Sequence, residues 1–204
     1  RLELVNYSAA HGSLVIEDDF ENEFVYLQKP TPSLFGLAGG QNVVYLGTFS
    51  RLLLPSIRIS FMVLPPELSA LYRKKADQYN QTASKAEQIA LCQFIRDGHL
   101  AAQTRKLKRL YSVKLKALRS AVREVFGKDA QIQTGAAGTS LALTLSTDLT
   151  WQELQKKAQT NGLRLQLLRE APGKITLILS CSSMPVADFV PACKLLKDIS
   201  QIQN

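Results

Sequence analysis

The chain has 204 residues, 46% of them hydrophobic and 21% charged, with a formal net charge of +8. This is the balance of an ordinary globular protein, long enough for one large or two small domains. No apolar run reaches the roughly 18 residues that span a bilayer, and three scattered cysteines make neither a zinc framework nor a disulfide scaffold.

The opening, RLELVNYSAAHGS, has neither an initiator methionine nor the apolar core of a signal peptide. It reads as a helix with Leu2, Val5 and Ala9 on one face, closed by His11 and Gly12. A chain that opens inside a helix is expected to be cut from a longer polypeptide. Leu14 to Ile16 form a short apolar strand that ends in four carboxylates, Glu17, Asp18, Asp19 and Glu21. Acids at a strand's carboxyl end mark ligand sites in open α/β sheets, or simply form a solvated loop. Pro30, Pro32 and the glycines from Gly36 to Gly40 predict a loop, followed by a buried strand, Val43 to Leu46. Another strand runs from Ile59 to Leu64 and stops at Pro65 and Pro66.

Between these strands lies GTFSRLLLPSIR, Gly47 to Arg58. Read from its residues alone, the hydroxyls of Thr48 and Ser50 serve a turn or a cap. Taken with Arg58 they are also what a phosphate ester requires, donors near a strand end and a fixed cation that pairs bidentately.

Three helices are predicted next, at about 66–80, 82–97 and 98–126. Pro66 and Glu67 suit a first helical turn. In the third, Leu107, Tyr111, Leu115, Leu118, Val122 and Val125 recur at three and four residues, and Gly127 ends the helix. Strands follow at Ala130 to Thr134, Ser140 to Leu145, Leu163 to Leu168 and Ile175 to Leu179. Thr150 and Glu153 form a capping box for a helix through Thr160, and a last helix runs from Val186 to Ile199, with Pro191 kinking it or delaying its start.

Residues 73–123 hold thirteen Lys or Arg against three acids, a net +10, so the rest of the chain sums to −2. Such a strip reads first as the solvated faces of amphipathic helices and second as a phosphate-contacting surface. Cys92 and Cys181 sit in apolar sequence and are expected to be buried packing residues, and an odd thiol count suits a reducing compartment. His11 and His99 belong to helix ends, so no metal site is expected.

The two segments LVIEDDFENEFVY and GTFSRLLLPSIR, with the spacing between them, resemble the aminotransferase-like domain of the MocR/GabR family of bacterial transcription regulators, within the GntR superfamily and related to class I aminotransferases. In that family the segments commonly read IEDDYDSEF and GTFSKTLxPGLR. The resemblance implies a fold-type I, pyridoxal-phosphate-transferase-like α/β fold. Residues 1–98 would be the second half of the large domain, its sheet only partial, and 99–204 the long connecting helix with a small α/β C-terminal domain.

Carried over position by position, Asp18 matches the aspartate that pairs with the protonated pyridine nitrogen. Thr48, Ser50 and Arg58 match the phosphate-binding positions. Phe20 stands where the family has a tyrosine that contacts the ring oxygen, and Leu52 replaces a common threonine. Arg51 occupies the position of the Schiff-base lysine. A guanidinium stays protonated at any workable pH and is no amine nucleophile, so pyridoxal phosphate is expected to bind non-covalently at most. The strand Ile175 to Ser183 also lacks the arginine that aminotransferases use for a substrate carboxylate; its nearest cation is Lys174.

The expected protein is the effector-sensing and dimerising part of such a regulator, without a catalytic residue. It would be a cytoplasmic, bacterial homodimer that answers a small amino or pyridoxal-phosphate-like effector. DNA would be met through an N-terminal winged-helix domain outside this chain, and no membrane or metal is implied. Two alternatives stand beside this reading: a fragment of a class I aminotransferase with its lysine replaced, and a purely structural dimerisation module.

Overall fold

The computed structural model describes residues 1–19, 32–127, 130–134 and 138–200. The chain divides into two compact units, which meet in sequence between Leu107 and Lys108.

The first unit is built on a three-stranded sheet of order β1-β2-β3, with β1 at Val15–Asp18, β2 at Val43–Thr48 and β3 at Ser60–Val63. β1 and β2 are parallel, pairing Val15 with Val43 through Asp18 with Leu46; β3 returns antiparallel to β2. Helix α1 (Leu2–Ala10) precedes the sheet and closes on His11, whose ring stacks on Tyr7 with centroids 4.1 Å apart. Helix α3 (Pro66–Lys75) places Pro66 and Glu67 in its first turn and Arg73, Lys74 and Lys75 in its last, matching the helix dipole at both ends. Ser84 caps α4 (Lys85–Arg96), and α5 (His99–Phe126) follows one short turn later.

Two expectations change here. The proline- and glycine-rich stretch predicted as a loop contains a helical turn, α2 (Leu34–Leu37), capped by the Ser33 hydroxyl. Its other support comes from Glu17, which lies 17 residues earlier in the sequence. Cys92 is exposed and not a packing residue. Leu91 is the buried residue of α4, and the next side chain on a helix points about 100° away.

The second unit holds a four-stranded sheet of order β4-β5-β7-β6, antiparallel throughout. Its strands are β4 (Ala130–Thr134), β5 (Ser140–Ser146), β6 (Gln166–Ala171) and β7 (Lys174–Ser180). The alternation of β5 buries Leu141, Leu143 and Leu145, and β7 buries Ile175 and Leu177 beside them. The core is completed by Leu115, Leu118, Val122 and Phe126 of α5, Leu154 and Ala158 of α6 (Trp151–Thr160), and Phe189, Cys193 and Leu196 of α7 (Phe189–Ile199).

The capping box at α6 is formed in both directions: the Glu153 amide donates to Thr150 Oγ1 at 3.4 Å and the Thr150 amide to Glu153 Oε2 at 2.8 Å. The Thr150 amide, and then its hydroxyl donating to Glu153 Oε2 at 2.8 Å, hold the Glu153 carboxyl below its usual range. β6 begins at Gln166, three residues after its expected start. Leu163 donates its amide to Ala158 O at 2.8 Å, so it belongs to the closure of α6, behind Gly162 at φ +76°. Pro191 is the third residue of α7, where helix amides have no intrahelical partner; a 3-10 turn at Val186–Asp188 leads into the helix. Burial raises the Cys181 thiol. Burial and the nearby Glu124 push Cys193 up to about 11, so neither is a thiolate at neutral pH.

Candidate functional site

Strand alternation sorts the residues of the first sheet onto two faces. Val15, Glu17, Val43, Tyr45, Gly47, Phe61 and Val63 share one, and Ile16, Asp18, Val44, Leu46, Thr48 and Met62 share the other. The first face is structural. Glu17 is buried and accepts from the amides of Leu34 and Phe35 at 2.9 and 3.0 Å, and from the Arg1 guanidinium at 2.8 Å. Phe35, Tyr45, Phe61 and Phe49 form a run of ring contacts, with centroids 5.3 to 6.4 Å apart. Gly47 lies under that run: a Cβ there would collide with the Phe61 ring, whose Cε1 would be 2.7 Å away. Glycine is required because the ring lies on the strand backbone.

The four carboxylates expected as one cluster therefore separate. Glu17 caps a helix on the aromatic face, Asp18 is exposed on the opposite face, and Glu21 lies outside the described residues. Asp19 accepts from the Tyr45 hydroxyl at 2.7 Å, and its amide continues the β1–β2 pairing to Leu46 O. Tyr45, Phe61 and the helix-capping part of Glu17 were not anticipated from sequence. A parity count along β1 would have separated Glu17 from Asp18.

Of the expected site residues, Asp18 and Thr48 stand on the same face, at the C-terminal ends of two adjacent parallel strands. Ile16 and Met62 of that face are 65% and 51% exposed. Thr48 Oγ1 accepts from the Ser50 amide at 3.2 Å and donates a long bond, 3.4 Å, to Ile59 O. The Phe49 amide also donates to Ile59 O, at 3.1 Å, so the segment from Ser50 to Arg58 is a loop pinched shut at its base. Buried Leu52 anchors the loop from inside, and Arg51 beside it is half-buried. Arg58 is exposed and left-handed, at φ 46° and ψ 30°. A non-glycine residue rarely adopts that backbone, and such conformations recur where a loop is shaped around a ligand. Phe20 lies outside the described residues.

The arrangement offers a carboxylate at one strand end, hydroxyls at the next, and a guanidinium closing the loop between strands. A carboxylate accepts from a protonated ring nitrogen, and hydroxyls with a guanidinium donate to a phosphate. Among the described residues no group of three or more His, Cys, Asp or Glu could hold a metal ion, and no helix is long and apolar enough to cross a membrane.

A partial large-domain sheet joined to a small antiparallel α/β unit is the architecture of fold-type I aminotransferases. The crystal structure of the α-aminoadipate aminotransferase LysN from Thermus thermophilus superposes with a TM-score of 0.78 at 24% identity, over 98% of this chain and 53% of that one. A multiple substrate aminotransferase from Thermococcus profundus gives 0.80 at 21% identity, over 98% and 51%. No family model matches the sequence. Among curated proteins, the HTH-type transcriptional regulator YdeL of Bacillus subtilis is 32% identical over 97% of this chain and 43% of its own length. YhdI of the same organism is 37% identical over 81% and 35%, and the probable rhizopine catabolism regulatory protein MocR of Rhizobium meliloti 30% over 82% and 34%. The chain spans less than half the length of these curated relatives. It belongs to the MocR-type family of GntR regulators, and within it to the C-terminal part of the aminotransferase-like domain.

Proposed function

We propose that the chain is the effector-sensing and dimerising part of a MocR/GabR-type transcription regulator that has lost covalent cofactor anchoring and catalysis. The observation that carries this reading is Arg51 at the position of the Schiff-base lysine, in a loop whose neighbours Thr48, Ser50 and Arg58 keep the family's residues. Pyridoxal phosphate, when bound, supplies an electron-withdrawing ring and a dianionic phosphate. Asp18 would hold a proton on the ring nitrogen by offering it an anionic acceptor, and Thr48, Ser50 and Arg58 would bind the phosphate. Phe20 cannot give the hydrogen bond of the family's tyrosine, so the ring oxygen would go without it. Arg51 adds a cation that cannot act as a nucleophile, which suits binding without turnover.

On this reading residues 1–98 complete a large domain and residues 99–204 connect to and form the small one. The intact protein works in the bacterial cytoplasm as a homodimer and meets DNA through an N-terminal winged helix. A small amino or pyridoxal-phosphate-like effector shifts the dimer between two states, which requires different affinities for them. The exposed Ile16 and Met62, with outer edges on β1 and β3 that pair with no other strand among the described residues, favour association. Sedimentation velocity of the 204-residue chain at micromolar concentration is expected to show an oligomer; a stable compact monomer would refute that part.

Incubating the full-length protein with pyridoxal phosphate is expected to give no Schiff-base absorption band, whereas Arg51→Lys should give one. A band in the unsubstituted protein would overturn the loss of anchoring. Equilibrium dialysis of radiolabelled pyridoxal phosphate against the unsubstituted protein then separates non-covalent sensing from a purely structural module, which would retain none.

A further inference from the structure

The second unit carries a stripe of positive charge that the cofactor-like loop does not use. At about 100° per residue, Lys108, Arg109, Lys116, Arg119 and Arg123 of α5 fall within roughly 100° of arc and extend about 22 Å along the helix. Arg109, Lys116 and Arg123 are exposed, and Lys108 and Arg119 half-buried. Leu118, Ala121 and Val122 turn toward the core instead. Among the described residues, none of the five side chains is paired with a carboxylate.

Lys106, Lys114 and Glu124 of α5 fall outside that arc. Lys114 donates to Ser182 O at 3.0 Å. The one acid between His99 and Phe126 is Glu124, which borders a cleft with Val125, Lys194, Lys197 and Asp198 and acts on the Cys193 thiol. A helix that needed only a solvated face would intersperse acids three and four residues from its cations, because such pairs stabilise and like pairs repel. This stripe keeps its self-repulsion unrelieved, which a polyanion would remove.

We propose that the stripe binds the phosphate backbone of double-stranded DNA without reading its sequence. Duplex DNA presents about one charge per 1.7 Å of axis, so 22 Å of stripe faces roughly a dozen phosphate charges. A membrane surface is the poorer fit, since a helix lying in a bilayer interface needs a free apolar face, and that of α5 is spent on the core. The choice of DNA rests on the regulator reading above, whereas the stripe stands on geometry and charge.

The test is fluorescence anisotropy of a random-sequence 30-bp duplex with the full-length protein at several salt concentrations. Neutralising Lys108, Arg109, Lys116 and Arg123 together with glutamine, a good helix former, should weaken binding roughly tenfold or more at ~100 mM salt. The slope of log affinity against log salt should fall by about 3.6. The double variant Lys116→Gln/Arg123→Gln should lower the slope by about 2 and serves if the quadruple variant does not fold. A control that neutralises Arg73, Lys74, Lys75 and Lys85, all exposed, should leave affinity and slope within twofold. Equal losses in stripe and control variants, or duplex binding untouched by the stripe variants, would overturn the proposal while leaving the regulator reading in place. Loss of binding to phosphatidylserine vesicles but not to duplex would assign the stripe to a membrane and also overturn it. A full-length protein that binds no duplex at all would sink both.

Discussion

Phe126→Ala is expected to cost the second unit about 3 to 5 kcal/mol, the range for truncating a fully buried aromatic residue. Phe126 is 1% exposed, the last residue of α5, and packs in one cluster with Leu141, Leu143, Leu145, Ile175 and Leu177. Removing the ring loses its transfer free energy and leaves a cavity that the close-packed sheet and helices cannot fully collapse around. For a unit of this size each kcal/mol corresponds to roughly 4 to 8 °C of midpoint, so the variant should melt at least 12 °C or so lower. The chain's single tryptophan, Trp151, packs against this core and supplies the signal. A shift in its fluorescence midpoint of only a degree or two would show that Phe126 is not a keystone of the packing.

Glu17→Ala should cost the first unit about 2 to 3 kcal/mol, because a buried carboxylate that receives three donors is removed at once. Arg1 loses little, being 46% exposed and able to turn to water. The amides of Leu34 and Phe35 lose their acceptor at the start of a four-residue helix that cannot stand alone. Hydrogen exchange at those two amides should accelerate about tenfold or more, while Glu17→Gln, which keeps one acceptor oxygen, should fall between. Unchanged exchange in Glu17→Ala would mean that Ser33 alone holds α2.

The elements legible in sequence were those whose signals are local. The heptad-like spacing of α5, the Thr150–Glu153 box and the apolar runs of β2 and β7 each carry their own period or cap. α2 was illegible because its stabilising partner is distant in sequence and its own residues include glycine and follow proline. The sequence places β6 too early because Leu163 and Leu165 continue the alternation that Leu167 belongs to, although the Leu163 amide is already committed to Ala158. At the candidate site, hydroxyls and an arginine around a strand end acquired meaning from the family pattern, since turn chemistry uses the same residues. The left-handed backbone of Arg58 became visible in three dimensions, whereas strand parity along β1 already divides Glu17 from Asp18.

Gly47 and Phe61 bear on how such a site can drift. The aromatic run fixes β2 from one side of the sheet, and Asp18 and Thr48 stand on the other. Scaffold and chemistry are therefore insulated from each other within a single strand. Substitutions at Asp18 or Thr48 would leave undisturbed the rings that hold the strand in register. What selection would guard in such a chain is the bare backbone at Gly47, where one added methyl would reach the scaffold directly.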